Sequence, residues 1–94
     1  MVRRNELIDA AWRAYVQRLA TTLRQTRDRS GLSQEEVAYR AGLTRYTYQK
    51  YEKGESRPGM PANPSLRSLL ALSQVLDVPL TDLVPGDVPD LRNR

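Results

Sequence analysis

Apolar residues recur three or four positions apart along the first third of the chain. Spacing of this kind places side chains on one face of an α-helix. The apolar stripe consists of Ile8, Trp12, Tyr15, Leu19 and Leu23. The pattern predicts one long helix over residues 5–29, which the Ser30-Gly31 pair ends.

Two shorter helices separated by a glycine are predicted for residues 33–54. Ser33 is a favourable N-cap, and Glu36 three residues later completes a capping box. Gly42 lies where the first of these helices must end, at a position that favours the left-handed backbone conformation. Thr44 can cap the second helix, and Gly54 can end it. A helix, a short glycine-containing turn and a second capped helix form the helix-turn-helix signature.

The remainder of the chain predicts two more helices. Three prolines and a glycine between residues 55 and 64 indicate an irregular loop. Ser65 then caps a leucine-rich helix that ends at residues 77–79, and one or two helical turns follow over residues 80–84. No segment has the alternating pattern of a β-strand. The sequence therefore predicts an all-α fold of five helices.

Composition excludes several classes of chemistry. The chain of 94 residues has no Cys and no His, which removes disulfides and any Ser-His or Cys-His catalytic unit. Its acidic residues are scattered, and it has no glycine-rich phosphate cradle, so we expect no enzyme activity and no cofactor. The net charge of +4 permits a polyanionic partner without requiring one. No apolar run reaches the roughly 18 residues of a membrane span, so we expect a cytoplasmic protein.

Several short motifs occur in a fixed order along the chain. They are GLSQEEVA at 31–38, AGLT at 41–44, YEKG at 51–54, PSL at 64–66 and VPL at 78–80. In this combination the sequence resembles the Cro/phage-repressor family of helix-turn-helix proteins, also called the xenobiotic-response-element type. The resemblance implies a lambda-repressor-like DNA-binding domain, a homodimer and sequence-specific binding to a partly palindromic operator in double-stranded DNA.

The resemblance also divides the chain into three parts. Residues 1–18 extend the first helix, residues 19–84 form the helix-turn-helix DNA-binding domain, and residues 85–94 form a polar tail that we expect to fray. Tyr48 departs from the family pattern, because the family usually has a β-branched aliphatic residue there. The sequence leaves open whether this ring fits into the core or displaces the recognition helix.

The second helix of a helix-turn-helix lies in the major groove, with its N-terminal residues against the base edges. The resemblance therefore assigns base reading within helix 44–53 to Thr44, Arg45, Tyr46, Thr47, Gln49 and Lys50. Arg45 is the strongest candidate, because its planar guanidinium can donate two hydrogen bonds to guanine. Gln49 is suited to adenine by the same two-bond geometry.

Other positions match residues with defined roles in the family. The resemblance implies phosphate contacts for Gln34, Thr44 and Arg57, so that loss of the Gln34 side chain should weaken binding to all DNA sequences about equally. It implies a structural salt bridge between the first and third helices, formed by Arg27 and Glu52.

The aromatic residues of the N-terminal extension have two interpretations. Ile8, Trp12 and Tyr15 can contact a second protomer in a dimer. Alternatively, they can pack against the last helix and tail of the same chain, around residues 80–84. The sequence does not decide between the two.

Two functions of different classes are consistent with these observations. The leading hypothesis is a DNA-binding transcriptional regulator, either an activator or a repressor, without catalysis. The alternative is a protein-interaction module, such as an antitoxin or a partner of RNA polymerase, for which the extended first helix and the polar tail would provide contact surfaces.

Overall fold

Five helices and one small hairpin make up the computed structural model, which describes residues 3–92. The helices are α1 (Arg4–Ser30), α2 (Gln34–Arg40), α3 (Arg45–Lys53), α4 (Leu66–Val75) and α5 (Leu80–Leu83). Two antiparallel strands, β1 (Glu55–Arg57) and β2 (Met60–Pro61), lie between α3 and α4. The prediction of five helices with a long first helix is confirmed, and the expectation that the chain contains no strand is wrong.

The hairpin forms because a tight turn brings its two short strands together. Gly59 adopts φ +79°, a conformation that glycine reaches without strain. Pro58 precedes it, and the proline ring restricts φ to the range that such turns favour. The Glu55 carboxylate accepts a hydrogen bond of 3.0 Å from the Gly59 amide, which closes the turn. Strands of three and two residues are too short to show an alternating pattern in sequence.

The ends of α2 and α3 are fixed by the predicted caps. Ser33 Oγ accepts from the Glu36 amide at 3.0 Å, and the Glu36 carboxylate accepts from the Ser33 amide at 3.2 Å. Thr44 Oγ1 accepts from the Thr47 amide at 3.1 Å. Gly42, between the two helices, has φ +72° as expected. The turn between α2 and α3 is therefore determined by local sequence.

The core lies where α1, α2 and α3 meet α4 and α5. Its fully or almost fully buried side chains are Leu19, Leu23, Val37, Ala38, Tyr48, Leu72, Leu76 and Leu83. Tyr48 has no exposed surface, so its ring fits into the core, and α3 packs directly against α1 and α2. Of the two possibilities that the sequence left open for Tyr48, the structure shows that the ring is buried and not that it displaces α3.

An ion pair crosses the interior between α1 and α3. Arg27 donates to both oxygens of the Glu52 carboxylate, from Nε to Oε2 at 2.5 Å and from Nη2 to Oε1 at 3.1 Å. A third bond, from Arg27 Nη1 to the Leu32 carbonyl at 3.1 Å, connects the pair to the segment before α2. Only 3% of Glu52 is exposed. The structure thus brings together the two residues that the family resemblance paired.

The surroundings of Glu52 favour its charged form. Burial alone raises the pKa of this carboxyl, but the hydrogen bonds from Arg27 and Gln34 outweigh it and hold the pKa below its usual range. The buried Tyr48 hydroxyl lies beside the pair and makes no hydrogen bond of ordinary geometry to any described residue. Burial, strengthened by the nearby Glu52 carboxylate, raises the pKa of this phenol.

The C-terminal tail packs along the first half of α1. The Tyr15 hydroxyl donates to the Pro85 carbonyl at 2.8 Å, and Arg18 Nη2 donates to the Asp87 carbonyl at 2.7 Å. The Trp12 ring stacks on the Tyr15 ring with centroids 5.8 Å apart. The tail, which was expected to fray, is bonded to α1 at Pro85 and Asp87, and Leu91 shares a pocket with Trp12. Residues 93–94 lie outside the described part of the chain.

This packing changes the interpretation of the proposed dimer contact. Ile8 and Tyr15 are 8% and 5% exposed in the single chain, so little of either surface is left for a second protomer. Trp12 is half-buried and shares a surface pocket with Ile8 and Leu91 of the tail. Of the two alternatives, the geometry favours packing within the chain, and Trp12 is the one member of the set that a partner could still reach.

The first prediction concerns the stabilising role of the ion pair. Glu52→Ala leaves the Arg27 charge without its partner, and we expect it to lower the free energy of unfolding by about 3–5 kcal/mol. Glu35→Ala is the matched control, since Glu35 is exposed on α2 and makes no hydrogen bond or ion pair to a described residue. Its effect should be within about 0.5 kcal/mol. Equal stability of the two variants in chemical denaturation would contradict the assignment.

The second prediction concerns acidification. Because the pKa of Glu52 is lowered on folding, its contribution to stability is fully present above the pKa of the unfolded state. The contribution is lost as the pH falls through the lower pKa of the folded state. Since Glu52→Gln removes this titration, the free energy of unfolding should fall more steeply with acid in the wild type than in the variant. The free energy of unfolding is measured by chemical denaturation at a series of acidic pH values. The same dependence on pH in the wild type and in Glu52→Gln would refute this prediction.

The third prediction concerns the tail. Leu91→Ala should loosen the tail from α1 and expose more of Trp12, the single tryptophan of the chain. We expect its fluorescence emission to shift to longer wavelength. Val88→Ala is the control, because Val88 is 64% exposed and its truncation removes little packing. An unchanged spectrum in Leu91→Ala, or the same shift in both variants, would argue against tail docking.

Candidate nucleic-acid interface

The two sides of α3 have opposite character. Tyr48 and Glu52 are buried on the inner side, and Tyr51 is partly buried there. Arg45 and Tyr46, at the start of the helix, are exposed. Tyr46 lies across the helix from Tyr48 and Glu52, whereas Arg45 is three positions before Tyr48 and is exposed in the first turn, at the end of the helix.

Arg45 is an exposed cation of this surface, as Lys53 and Arg57 are. It lies in the first turn of α3, and its side chain makes no hydrogen bond or ion pair to any described residue. Its five N–H donors are therefore directed at no acceptor within the described part of the protein. A planar guanidinium in this state can bind an external acceptor with two parallel hydrogen bonds.

The hydroxyl groups of Thr44 and Thr47 are engaged with one another. Thr44 Oγ1 accepts from the Thr47 amide and also donates to Thr47 Oγ1 at 2.9 Å. Since a hydroxyl has one proton to donate, Thr44 can donate to a phosphate only by exchanging its bond to Thr47. The expected double role of Thr44, in capping and in phosphate contact, therefore requires a rearrangement of this bond.

Tyr46 and Lys50 interact on the outer face of α3. The Lys50 ammonium lies 4.2 Å from the centroid of the Tyr46 ring, within the range of a cation–π contact. The two residues are one helical turn apart, so their meeting could have been predicted from spacing. The contact places the Lys50 ammonium beside Tyr46, in the first turn of α3.

A basic groove separates α3 from the hairpin. It has a volume of about 250 Å³, and its cationic side chains are Lys50, Lys53 and Arg57. Glu55 also lines it, but the carboxylate of Glu55 accepts the bond from the Gly59 amide. Arg57 is exposed and makes no hydrogen bond or ion pair to a described residue. The groove therefore offers positive charge beside the exposed side of α3.

Gln34, predicted to contact phosphate, lies between the ion pair and α3. Its Nε2 donates to Glu52 Oε1 at 2.9 Å, and Gln49 Nε2 donates to Gln34 Oε1 at 3.5 Å. The structure thus brings Gln34 and Gln49 together, whereas sequence reasoning treated them separately. No local signal could have found these contacts, because they depend on how α2 packs against α3.

The predicted site residues fall into two regions. Tyr46, Gln49 and Lys50 line one groove with Arg57 of the hairpin, and Gln34 is bonded to Gln49 at its side. Arg45, in the first turn of α3, lines the neighbouring groove with Tyr39 and Leu43. Ile8, Trp12 and Tyr15 lie apart from these grooves, against the tail. Within residues 3–92, no three His, Cys, Asp or Glu side chains are grouped so as to hold a metal ion, and no helix is long and apolar enough to cross a membrane.

Comparison with known proteins identifies the family. The sequence profile of the helix-turn-helix domain matches residues 18–84, which is most of the chain and includes every helix except the first half of α1. No curated protein sequence and no solved structure matches the chain. The match agrees with the resemblance to Cro/phage-repressor proteins and with the caps and turn described above. The chain therefore belongs to the helix-turn-helix domain family.

Proposed function

We propose that the protein is a sequence-specific DNA-binding transcriptional regulator. In this proposal α3 enters the major groove of double-stranded DNA, and two copies of the chain bind a partly palindromic operator. The observation that carries the proposal is the exposed first turn of α3, where Arg45 has no partner among the described residues. Membership of the helix-turn-helix domain family supports it.

The shape of the exposed surface suits a major groove. An α-helix with its side chains is about 10–12 Å wide, and the groove of B-form DNA is about 12 Å wide. Arg45 and Tyr46, at the N-terminal end of α3, would lie deepest, against the base edges. Arg45 would donate to the O6 and N7 acceptors of a guanine.

The cations beside α3 would supply affinity without selectivity. Lys53 and Arg57 flank the basic groove and would meet phosphates on the DNA backbone. Gln34 can still donate its second amide proton to a phosphate, since the first is used by Glu52. Contacts of this kind release counterions and make binding weaken as salt increases.

The homodimer in this proposal rests on the resemblance to Cro/phage-repressor proteins. A two-fold symmetric pair of recognition helices would read two half-sites about one or more helical turns of DNA apart. Ile8 and Tyr15 are poor candidates for the contact between protomers, because the tail already buries them.

One surface favours a second candidate function, as a protein-interaction module. Tyr39 is 84% exposed at the end of α2, and with Leu43 it lines an open surface groove. A partner protein bound there would lie beside Arg45, at the edge of the proposed DNA surface. Such a role is compatible with DNA binding and does not require it.

Selection from a random duplex library, followed by sequencing, tests the proposal. We expect enrichment of an inverted repeat whose half-sites are about 10 base pairs, or a multiple of that, apart. Enrichment of a single half-site would contradict the dimer while retaining DNA reading by α3. Failure of the folded protein to enrich any sequence at low salt would overturn the proposal in favour of protein interaction.

The fourth prediction separates base reading from phosphate contact on the selected operator. Arg45→Ala should remove about 1–3 kcal/mol of discrimination at one guanine-containing base pair. Lys53→Ala should weaken binding to all sequences alike and reduce the salt slope by about one. Arg29→Ala is the control, because Arg29 is exposed beside residues of the α4–α5 region and should leave affinity unchanged.

Binding isotherms measured by fluorescence anisotropy, over a panel of operators with single base changes, distinguish these effects. Uniform weakening by Arg45→Ala, without relaxed preference at any position, would show that Arg45 contacts the backbone rather than a base.

A further inference from the structure

We infer that the buried carboxylate of Glu52 sets the direction of the Gln34 and Gln49 amides, and thereby makes Gln49 prefer adenine over guanine. Glu52, Gln34 and Gln49 are called the amide relay below. Its members are joined by hydrogen bonds of 2.9 Å and 3.5 Å. The inference rests on the proposed function, since it concerns the base that Gln49 would read in DNA.

The relay starts from the Glu52 carboxylate, which can only accept hydrogen bonds. An ionised carboxylate has no proton to donate, and Glu52 is held in this form by two bonds from Arg27. Glu52 is 3% exposed, so water does not compete freely for its oxygens. Any neighbouring amide that bonds to Glu52 must therefore present its NH₂ group.

Gln34 transmits this constraint to the surface. Its Nε2 faces Glu52 Oε1, which turns its carbonyl oxygen the other way. That oxygen accepts from Gln49 Nε2. Reversing the Gln34 amide would place two oxygens against each other at Glu52 and two NH₂ groups against each other at Gln49. Both contacts would be lost together, so the orientation of Gln34 is fixed from inside the protein.

Gln49 then presents a defined pattern to its surroundings. Because its NH₂ group donates one proton to Gln34, its carbonyl oxygen is the end turned away, and this oxygen makes no hydrogen bond to a described residue. One amide proton also remains. An acceptor next to a donor matches the N6 amino group and N7 of adenine in the major groove.

The opposite orientation of Gln49 would favour a different base. A Gln49 amide with its NH₂ group turned outward would offer two donors and match the O6 and N7 acceptors of guanine. Without the relay both orientations are accessible, and the side chain tolerates either purine. Gln34 is therefore a positioning residue for purine discrimination, in addition to any phosphate contact of its own.

The decisive variant is Gln34→Met, which keeps the length of the side chain and removes its amide. Glu52 itself is unsuitable for this test, because its substitution destabilises the fold. We measure dissociation constants for operators that carry adenine or guanine at the position read by Gln49, which Gln49→Met identifies. The ratio of the two constants is the readout, and any phosphate contact of Gln34 cancels from it.

We expect Gln34→Met to reduce the preference for adenine over guanine by about threefold to tenfold, the value of one positioning hydrogen bond. The preference at the base pair read by Arg45 should stay unchanged in the same variant, which serves as the internal control. Gln34→Met combined with Gln49→Met should discriminate no worse than Gln49→Met alone. An unchanged purine ratio in Gln34→Met would overturn the inference.

Nuclear magnetic resonance on the DNA-free protein tests the relay independently of the proposed function. We expect the side-chain amide signals of Gln49 to change in Gln34→Met, because the variant removes the carbonyl that accepts from Gln49 Nε2. Unchanged Gln49 side-chain signals in Gln34→Met would overturn the relay even if DNA is bound. A change in a folded protein that binds no duplex would instead overturn the proposed function, and with it the reading role of Gln49.

Discussion

An ionised carboxylate inside a domain of 94 residues constrains everything packed around it. Glu52 is almost fully buried on α3, and removing it from water is unfavourable unless its oxygens are bonded. Arg27 of α1 and Gln34 of α2 satisfy them. Because the donors come from two other helices, the charge is tolerated only when α1, α2 and α3 take up one mutual arrangement. The ion pair therefore specifies where α3 lies.

The surface proposed to bind DNA follows from this arrangement. Tyr48 and Glu52 hold the inner side of α3 in the core, which leaves Tyr46 on the far side of the helix and Arg45 exposed in its first turn. The Thr44 cap fixes where the helix starts and hence which residues occupy its first turn. Because its inner side is packed in the core, the backbone of α3 is held in place. A side chain on its exposed face can therefore reach a base edge without further ordering of the backbone.

Local features of the sequence predicted the helices, both caps and the left-handed glycine of the turn, because these depend on residues a few positions apart. The pairing of Arg27 with Glu52 required the family resemblance, since the two are 25 positions apart. Two features escaped prediction, because the hairpin is too short for a periodic pattern and the bond from Gln34 to Glu52 depends on how α2 packs against α3. Packing of the tail on α1 was one of two interpretations of the aromatic residues, and local sequence could not decide between them.

The most direct test of the account is to map the DNA surface on the protein by nuclear magnetic resonance. Isotope-labelled protein is titrated with its selected duplex, and the perturbed amide and side-chain signals are assigned. We predict the largest changes at residues 44–50, at Gln34 and at Arg57, with the tail and the first half of α1 unaffected. Perturbation confined to other surfaces, such as the groove around Tyr39 or the exposed residues of α4, would contradict the placement of α3 in the major groove.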